Sequence, residues 1–369
     1  MIDLFLQISF VFILIVITIT FLVSLINLLL NQSLKSINLS NNTSLVSVLI
    51  PVRNEENNIP ILLNSLLLQD YQNIEIIVLD DNSTDNTYQV IQDYSIKYNN
   101  IFTIKGEPLP DGWLGKNWAC HQLSNFAKGD IYIFVDSDVF LKSNAITSLL
   151  SFYYKYNLDA LSVFPTQIMN SFGEKLVVPL MNWILLSLLP LFLIRKSKFK
   201  SFIAANGQLF MFSKEIYRQV GGHEAVKSNP VEDMELAKNV KKNGFKIATF
   251  LGSELVKCKM YSGFASSIYG FSKNFYNGFN VPWTVFIFFV FFISLVNILP
   301  FLLIFVNIYF LLPVLLIIFN RIILSYLSKQ GIFTNIILHI PQFIVFLFIG
   351  ILSVYKTKLG KNVWKGRPV

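Results

Sequence analysis

Leu4–Leu30 runs without a single charged side chain. A bilayer core is crossed by about 20 apolar helical residues, so this run is long enough to span one. Its flanks lack the basic n-region and small-residue cleavage site of a secretory signal, and it is read as an uncleaved anchor. A second apolar zone fills Thr284–Phe319 and a third covers Asn335–Val354. Only 14% of the 369 residues are charged and 53% are hydrophobic, as expected of a membrane protein. Between the anchor and the tail the composition is that of an ordinary globular domain.

The expected organisation is an anchor and linker over 1–44, an α/β domain over 45–260, an amphipathic connection over 261–283 and a membrane region with a basic tail over 284–369. A net charge of +8 raises the question of nucleic acid. The placement of the charge answers it differently. Arg195, Lys196, Lys198 and Lys200 follow one apolar stretch, and Lys356, Lys358, Lys361, Lys365 and Arg367 follow the last. Cations beside apolar segments suit anionic headgroups and a cytoplasmic location, so no nucleic-acid partner is expected. Cys120 and Cys258 have no metal-type spacing and imply no disulfide framework.

Within the globular part, short β-branched runs alternate with helical patterns. Leu45–Val52, Ile74–Leu79, Ile131–Val135 and Leu161–Phe164 read as buried strands. Leu62, Leu63, Leu66 and Leu67 mark one face of a helix, and Ser213–Val220 reads as another, stopped by Gly221 and Gly222. The pattern predicts a mostly parallel sheet. Ligands bind beyond the carboxyl ends of such strands, which is where acidic clusters stand.

Asp136 and Asp138 follow an apolar strand and, two residues apart on an extended chain, point the same way. Two such carboxylates suit a divalent cation, although an exposed acidic turn has the same look. Asp80 and Asp81 close the second strand, where a carboxylate can accept a hydrogen bond from a base or ribose. Lys116 stands after a Gly-bounded turn, ahead of a helix, and suits a phosphate or plain solvent. Glu232 and Asp233 follow Asn229-Pro230. They suit either a helix start favoured by the dipole or a general base at a cleft. His121, His223 and His339 are too scattered for a metal site, and neither a GxGxxG nor a P-loop pattern occurs.

Taken in order, VRNEE, DDNSTDNT, GWLGKNWAC, FVDSDV and VEDMELA resemble the family 2 glycosyltransferases with the GT-A fold. The likeness covers roughly 45–260. It is closest to membrane-bound enzymes that glycosylate lipids, of the diaponeurosporenoate and hopanoid-associated types. GWLGK, ANGQ within Ala204–Gln208, and WKGR at Trp364–Arg367 carry that closer likeness. The resemblance implies that Arg53 and Glu55 line a nucleotide pocket, that Asp81 recognises the base and that Lys116 lies near the diphosphate. It further implies that Asp136 and Asp138 form a DxD motif for Mn or Mg, with Asp138 the direct ligand, and that Asp233 is the catalytic base. The partners implied are a nucleotide-sugar donor, a UDP-sugar by the family's habit, and a lipid or isoprenoid acceptor in the plasma membrane. The catalytic domain is then cytoplasmic on a multi-pass chain. Where polymer synthases carry QxxRW, this chain has YGFSKNF at Tyr269–Phe275, which argues against the alternative of a processive polysaccharide synthase. The other alternative is a non-catalytic membrane scaffold.

Leu176–Ile194 has the composition of a membrane span. Asp138 precedes it and Asp233 follows it, and both must reach one active site. The segment is therefore expected to lie in the interface or to re-enter, over 176–200.

Overall fold

The computed structural model describes residues 2–37, 43–360, 363–364 and 367–368. Lys361 and Lys365 of the expected basic tail, and the centre of WKGR, lie outside them. The chain divides into two compact units.

The α/β unit comprises Gln32–Ile168, Leu191–Met260 and Val363–Val369. Its strands are β1 (Val46–Val52), β2 (Ile74–Asp80), β3 (Ile101–Lys105), β4 (Ile131–Val135), β5 (Val139–Leu141), β6 (Ala160–Phe164), β7 (Thr166–Gln167), β8 (Leu209–Ser213), β9 (Ile247–Leu251) and β10 (Val256–Cys258). Seven form a central sheet in the order β3-β2-β1-β4-β8-β6-β9. Only β8 runs antiparallel to its neighbours, β4 and β6. The four strands expected from sequence are β1, β2, β4 and β6. Their side chains are almost wholly buried, which is why they read as apolar runs rather than as alternation. A second sheet, β5-β10-β7, is too short to leave a periodic signal.

Helices α2 (Ile59–Leu67), α3 (Thr87–Lys97), α4 (Gly115–Phe126), α5 (Ala145–Lys155), α8 (Phe192–Lys196), α9 (Lys214–Gln219) and α10 (Glu232–Lys242) complete this unit. Ser213, the last residue of β8, caps α9 by accepting from the Ile216 N–H, and Gly221 ends that segment at φ +83°. Helix α10 starts two residues later than Asn229-Pro230 suggests. Asn229 Oδ1 instead accepts from the Val231 N–H in the turn before it. The stretch after the anchor is not slack at its start, since Gln32 and Leu34 pair with Leu251 along the edge of β9.

The helical unit comprises Met1–Asn31, Met169–Pro190 and Tyr261–Asn362. Its helices are α1 (Ile2–Leu30), α6 (Phe172–Val177), α7 (Pro179–Leu188), α11 (Phe264–Asn274), α12 (Trp283–Leu303), α13 (Leu311–Ser328), α14 (Ile332–Ile337) and α15 (His339–Lys358). Among the described residues, Leu6–Leu30, Trp283–Leu303, Ile308–Ser328 and His339–Lys358 are long and apolar enough to cross a membrane. The apolar zone Thr284–Phe319 is thus two helices. Neither proline makes the break: Pro300 sits inside α12, and Pro313 falls in the first turn of α13, where a missing N–H costs nothing. The break lies at 304–307, and the Asn307 side chain caps the turn that follows.

Leu176–Ile194 is not one helix. It is folded into parts of α6, α7 and α8, and α7 is only 10 residues long. Pro179 opens α7, and its end is held by α1. Asn27 Nδ2 donates to the carbonyls of Leu186 and Leu189, each at 2.9 Å, and Ser24 Oγ also donates to Leu186 O. Carbonyls at a helix end have no partner within the helix, and in apolar surroundings a neighbour must supply one. His339 is packed between Arg321 Nε at 2.8 Å and the Asn297 carbonyl at 2.9 Å.

Candidate active site

The register of the central sheet brings three acidic loops to one edge. Val52 at the end of β1 lies opposite Asp80 at the end of β2, and β4 flanks β1 on its other side. Loops leaving β1, β2 and β4 therefore emerge together. The first two are laced. The Asp81 N–H donates to Val52 O at 2.7 Å, and Arg53 Nη1 donates to the carbonyls of Asp81 and Asn82 at 2.6 and 3.0 Å. Asn54 accepts from the Thr84 N–H at 2.8 Å, and both Asn54 and Asn82 adopt φ +53°. Asparagine tolerates this left-handed backbone better than most residues. Glu55 accepts from Asn58 Nδ2 at 2.6 Å. Arg53, Glu55 and Asp81 thus share one corner, and Asp81 is buried.

Asp136 and Asp138 follow β4. Beside them, antiparallel β8 places Gly207 and Gln208 at the same edge, and the Asp136 N–H donates to Gln208 O at 3.0 Å. Lys116, in the first turn of α4, is 2.8 Å from Asp136 and 3.2 Å from Glu232. Burial disfavours its charge, but the two carboxylates outweigh that and hold its pKa well above the ordinary lysine value. Asp233, in the first turn of α10, accepts from the Gly207 N–H at 2.8 Å. Burial, then the neighbouring Glu232, raises its carboxyl to about 7. A narrow cleft is lined by Lys116, Asp136, Gly207, Glu232 and Asp233, with Cys120 and His223 behind.

Asp138 Oδ1 is buried and has no hydrogen-bond partner. Burial, then the charges of Asp136 and Glu55, raises this carboxyl to about 7. Asp80 Oδ1 is orphaned in the same way, while its Oδ2 accepts from the Ser83 N–H. Among the described residues no group of three or more His, Cys, Asp or Glu is disposed to hold a metal by itself. His223 is not part of such a group. It is buried against Tyr217, 2.7 Å away, and burial pushes its pKa down to about 3, so it is neutral.

The cleft joins Lys116, Asp136 and Asp233, and Asp138 stands two residues from Asp136. Sequence reading missed Glu232 as the second carboxylate on Lys116. It also assigned no role to Gly207. A side chain at Gly207 would come within 3.1 Å of both Glu232 Oε1 and Lys116 Nζ, so only glycine fits without displacement. The one available signal was the ANGQ stretch, which carries no chemistry on its face.

The Glycosyl transferase family 2 model matches residues 47–221. Asp233 lies beyond that span. The 4,4'-diaponeurosporenoate glycosyltransferase of Staphylococcus haemolyticus is 29% identical over 235 residues, 63% of this chain and 61% of that protein. Its Staphylococcus aureus counterpart is 28% identical over 252 residues, 67% of this chain and 65% of that protein. The match spans less than two thirds of either relative. Among solved structures, the mannosyltransferase PcManGT from Pyrobaculum calidifontis, in complex with GDP-Man and Mn2+, superposes with a TM-score of 0.57 at 15% identity. That match covers 95% of this chain and 99% of the other, a likeness of fold. By its mixed, mostly parallel sheet, its matched segment and these relatives, residues 47–221 are a family 2 glycosyltransferase domain on the GT-A fold.

Proposed function

We propose that this chain is a membrane-bound inverting glycosyltransferase that moves one sugar from a UDP-sugar to an isoprenoid or lipid acceptor bearing a carboxylic acid. The observation that carries this reading is the arrangement of carboxylates about one cleft. Asp138 presents a buried, orphaned oxygen at the strand end, while Asp233 is held by a backbone N–H at the helix start. The names of the staphylococcal relatives support the acceptor class.

The donor set fits a divalent cation such as Mn2+ or Mg2+. A buried carboxylate oxygen with no donor nearby is costly to ionise unless a cation meets it. With two aspartates from the protein, the remaining positions would fall to diphosphate oxygens and water. When bound, such an ion neutralises charge on the departing nucleoside diphosphate. Asp138 and Asp136 would hold it. Lys116 would place a fixed ammonium beside the same diphosphate, preorganised by Asp136 and Glu232. Arg53, Glu55 and Asp81 would seat the nucleoside in the corner between the first two loops. Asp233 would face the acceptor. Its raised pKa leaves it able to take a proton from a hydroxyl near neutral pH, but an acceptor carboxylic acid is already ionised there. In that case Asp233 would orient the acceptor rather than deprotonate it. The α/β unit would lie in the cytoplasm, with α1 in the plasma membrane and Lys356 and Lys358 at the inner leaflet, which requires that two of α12, α13 and α15 cross and the third does not.

The test uses membranes containing the expressed chain, a panel of radiolabelled nucleotide-sugars, and Mn2+, Mg2+ or EDTA. Label entering the organic extract only with metal, and not with Asp138→Ala, is the expected result. Label confined to insoluble polymer would replace this reading with a processive synthase. Incorporation undiminished by EDTA and by Asp138→Ala would remove the metal assignment.

A further inference from the structure

The small sheet explains how the Asp138 carboxylate is aimed. Cys258 in β10 pairs with Val139 in β5 on one side and with Gln167 in β7 on the other. Gln167, Cys258 and Val139 therefore form one row across three strands. Asp138 directly precedes this row, and its carbonyl accepts from the Lys259 N–H at 3.1 Å. Cys258 thus stands next to Asp138 across the strand pair, and its thiol favours the charged form of that carboxylate. Behind it, Gln208 Nε2 donates to Cys258 Sγ, and Gln208 Oε1 accepts from Gln167 Nε2 at 3.0 Å. Cys258, Gln208 and Gln167 are all buried. Gln208 also accepts the Asp136 N–H through its own carbonyl, and the adjacent Gly207 N–H holds Asp233.

We infer that Gln208 and Cys258 are positioning residues that aim the Asp138 carboxylate at a divalent cation, and that Ala204–Gln208 sets this carboxylate in register with Asp233. A second layer of hydrogen bonds is what orients a metal-ligating carboxylate, and its removal typically weakens metal binding about 10–100-fold. A serine can donate and accept as the thiol does, whereas alanine breaks the chain at its centre. This inference rests on the metal-dependent reading above.

The experiment measures Mn2+ binding to the purified, detergent-solubilised full chain with UDP present and acceptor absent. Free Mn2+ is followed by electron paramagnetic resonance, beside the melting temperature. Cys258→Ala and Gln208→Ala are expected to weaken Mn2+ binding about 10–100-fold, with Cys258→Ser recovering most of it. Gln167→Ala, one bond further back, is expected to weaken it a few-fold and serves if the alanine variants at 208 and 258 do not fold. Variants that melt earlier yet bind Mn2+ like the wild type would overturn the inference alone. A wild-type chain that binds no Mn2+ with UDP, GDP or CDP would overturn it together with the metal-dependent reading.

Discussion

The two units of this protein bury similar apolar cores but differ in what they turn outward. In the α/β unit the apolar side chains face inward: Val48, Ile76, Leu161 and Met211 are fully buried, and charged residues such as Lys97, Lys155, Arg218 and Lys242 take the outside. In the helical unit the outside is apolar. Phe288 is 69% exposed, and Leu4, Ile337 and Phe305 are exposed as well. Its interior is apolar too, with Trp183, Phe286, Phe343 and Phe346 fully buried, and it also holds Ser24, Asn27, Asn297, Arg321, Gln342 and His339. A fold buries whatever its solvent rejects. The first unit is assembled against water and the second against lipid, where association depends on packing and interhelical hydrogen bonds rather than on hiding apolar surface.

The same comparison separates two kinds of buried polar group. Asn27 and Ser24 are buried to satisfy carbonyls at the end of α7, a structural duty. Asp138 is half-buried, with one buried oxygen left unsatisfied, which costs stability and so needs a different explanation. An unsatisfied buried carboxylate oxygen two residues from the cleft-lining Asp136 is the mark of a candidate site.

Substitutions can break this comparison at its strongest points first. Asp138→Ala should cost about 10²–10³-fold in kcat while leaving the fold intact, read from label entering the organic extract and from the circular dichroism spectrum. A core truncation in the water-facing unit, Ile76→Ala, should lower stability by about 2–5 kcal/mol. The matching truncation on the outside of the helical unit, Phe288→Ala, should change the melting temperature in detergent little and instead weaken retention in the membrane. Equal destabilisation by both would contradict the assignment of Phe288 to an apolar outer surface. Asn27→Leu takes this donor from the Leu189 carbonyl and leaves the Leu186 carbonyl with Ser24 alone, and should cost about 1–2 kcal/mol of stability in detergent.

The smallest expected effect sharpens the chemistry. Asp233→Asn should slow transfer less than about 10-fold if the acceptor is a carboxylic acid, with no break in the pH–rate profile near 7. If the acceptor is an alcohol, the loss should approach about 10²–10⁴-fold, and the wild-type rate should climb as pH rises through 7 and Asp233 ionises. Stability carries the opposite sign. The Asp233 pKa is raised from 3.8 to about 7, so its contribution is present at low pH and is lost as pH rises through that interval. Asp233→Asn should accordingly melt higher than wild type at pH 8 and show little difference at pH 4.

Much of the water-facing fold was legible because its strands are short, apolar and followed by polar loops. β1, β2, β4 and β6 each carry that mark, and Asp81, Asp136 and Asp138 stand where the strands run out. The membrane helices were legible for the same reason of composition. The zone at Thr284–Phe319 shows the limit, since Pro313 sits in a first helical turn, Pro300 lies within α12, and the break falls between them at 304–307. Leu176–Ile194 shows it again. Hydropathy sums to a span there, whereas Pro179, the 10-residue α7 and the hydrogen bonds from α1 make short pieces of it.

By itself, then, the order of residues determined that this chain has apolar helices, a parallel-sheet domain and acids at the strand ends, because each follows from local composition and periodicity. Which acids meet was decided by tertiary structure alone. Lys116 finds Asp136 and Glu232, Gly207 finds Asp233, and Gln208 finds Cys258, across separations that no local pattern encodes. The register of β4 against β8, and of β10 against β5 and β7, makes those meetings. Register is set by which faces pack together over the whole sheet, not by the residues that happen to end up in contact.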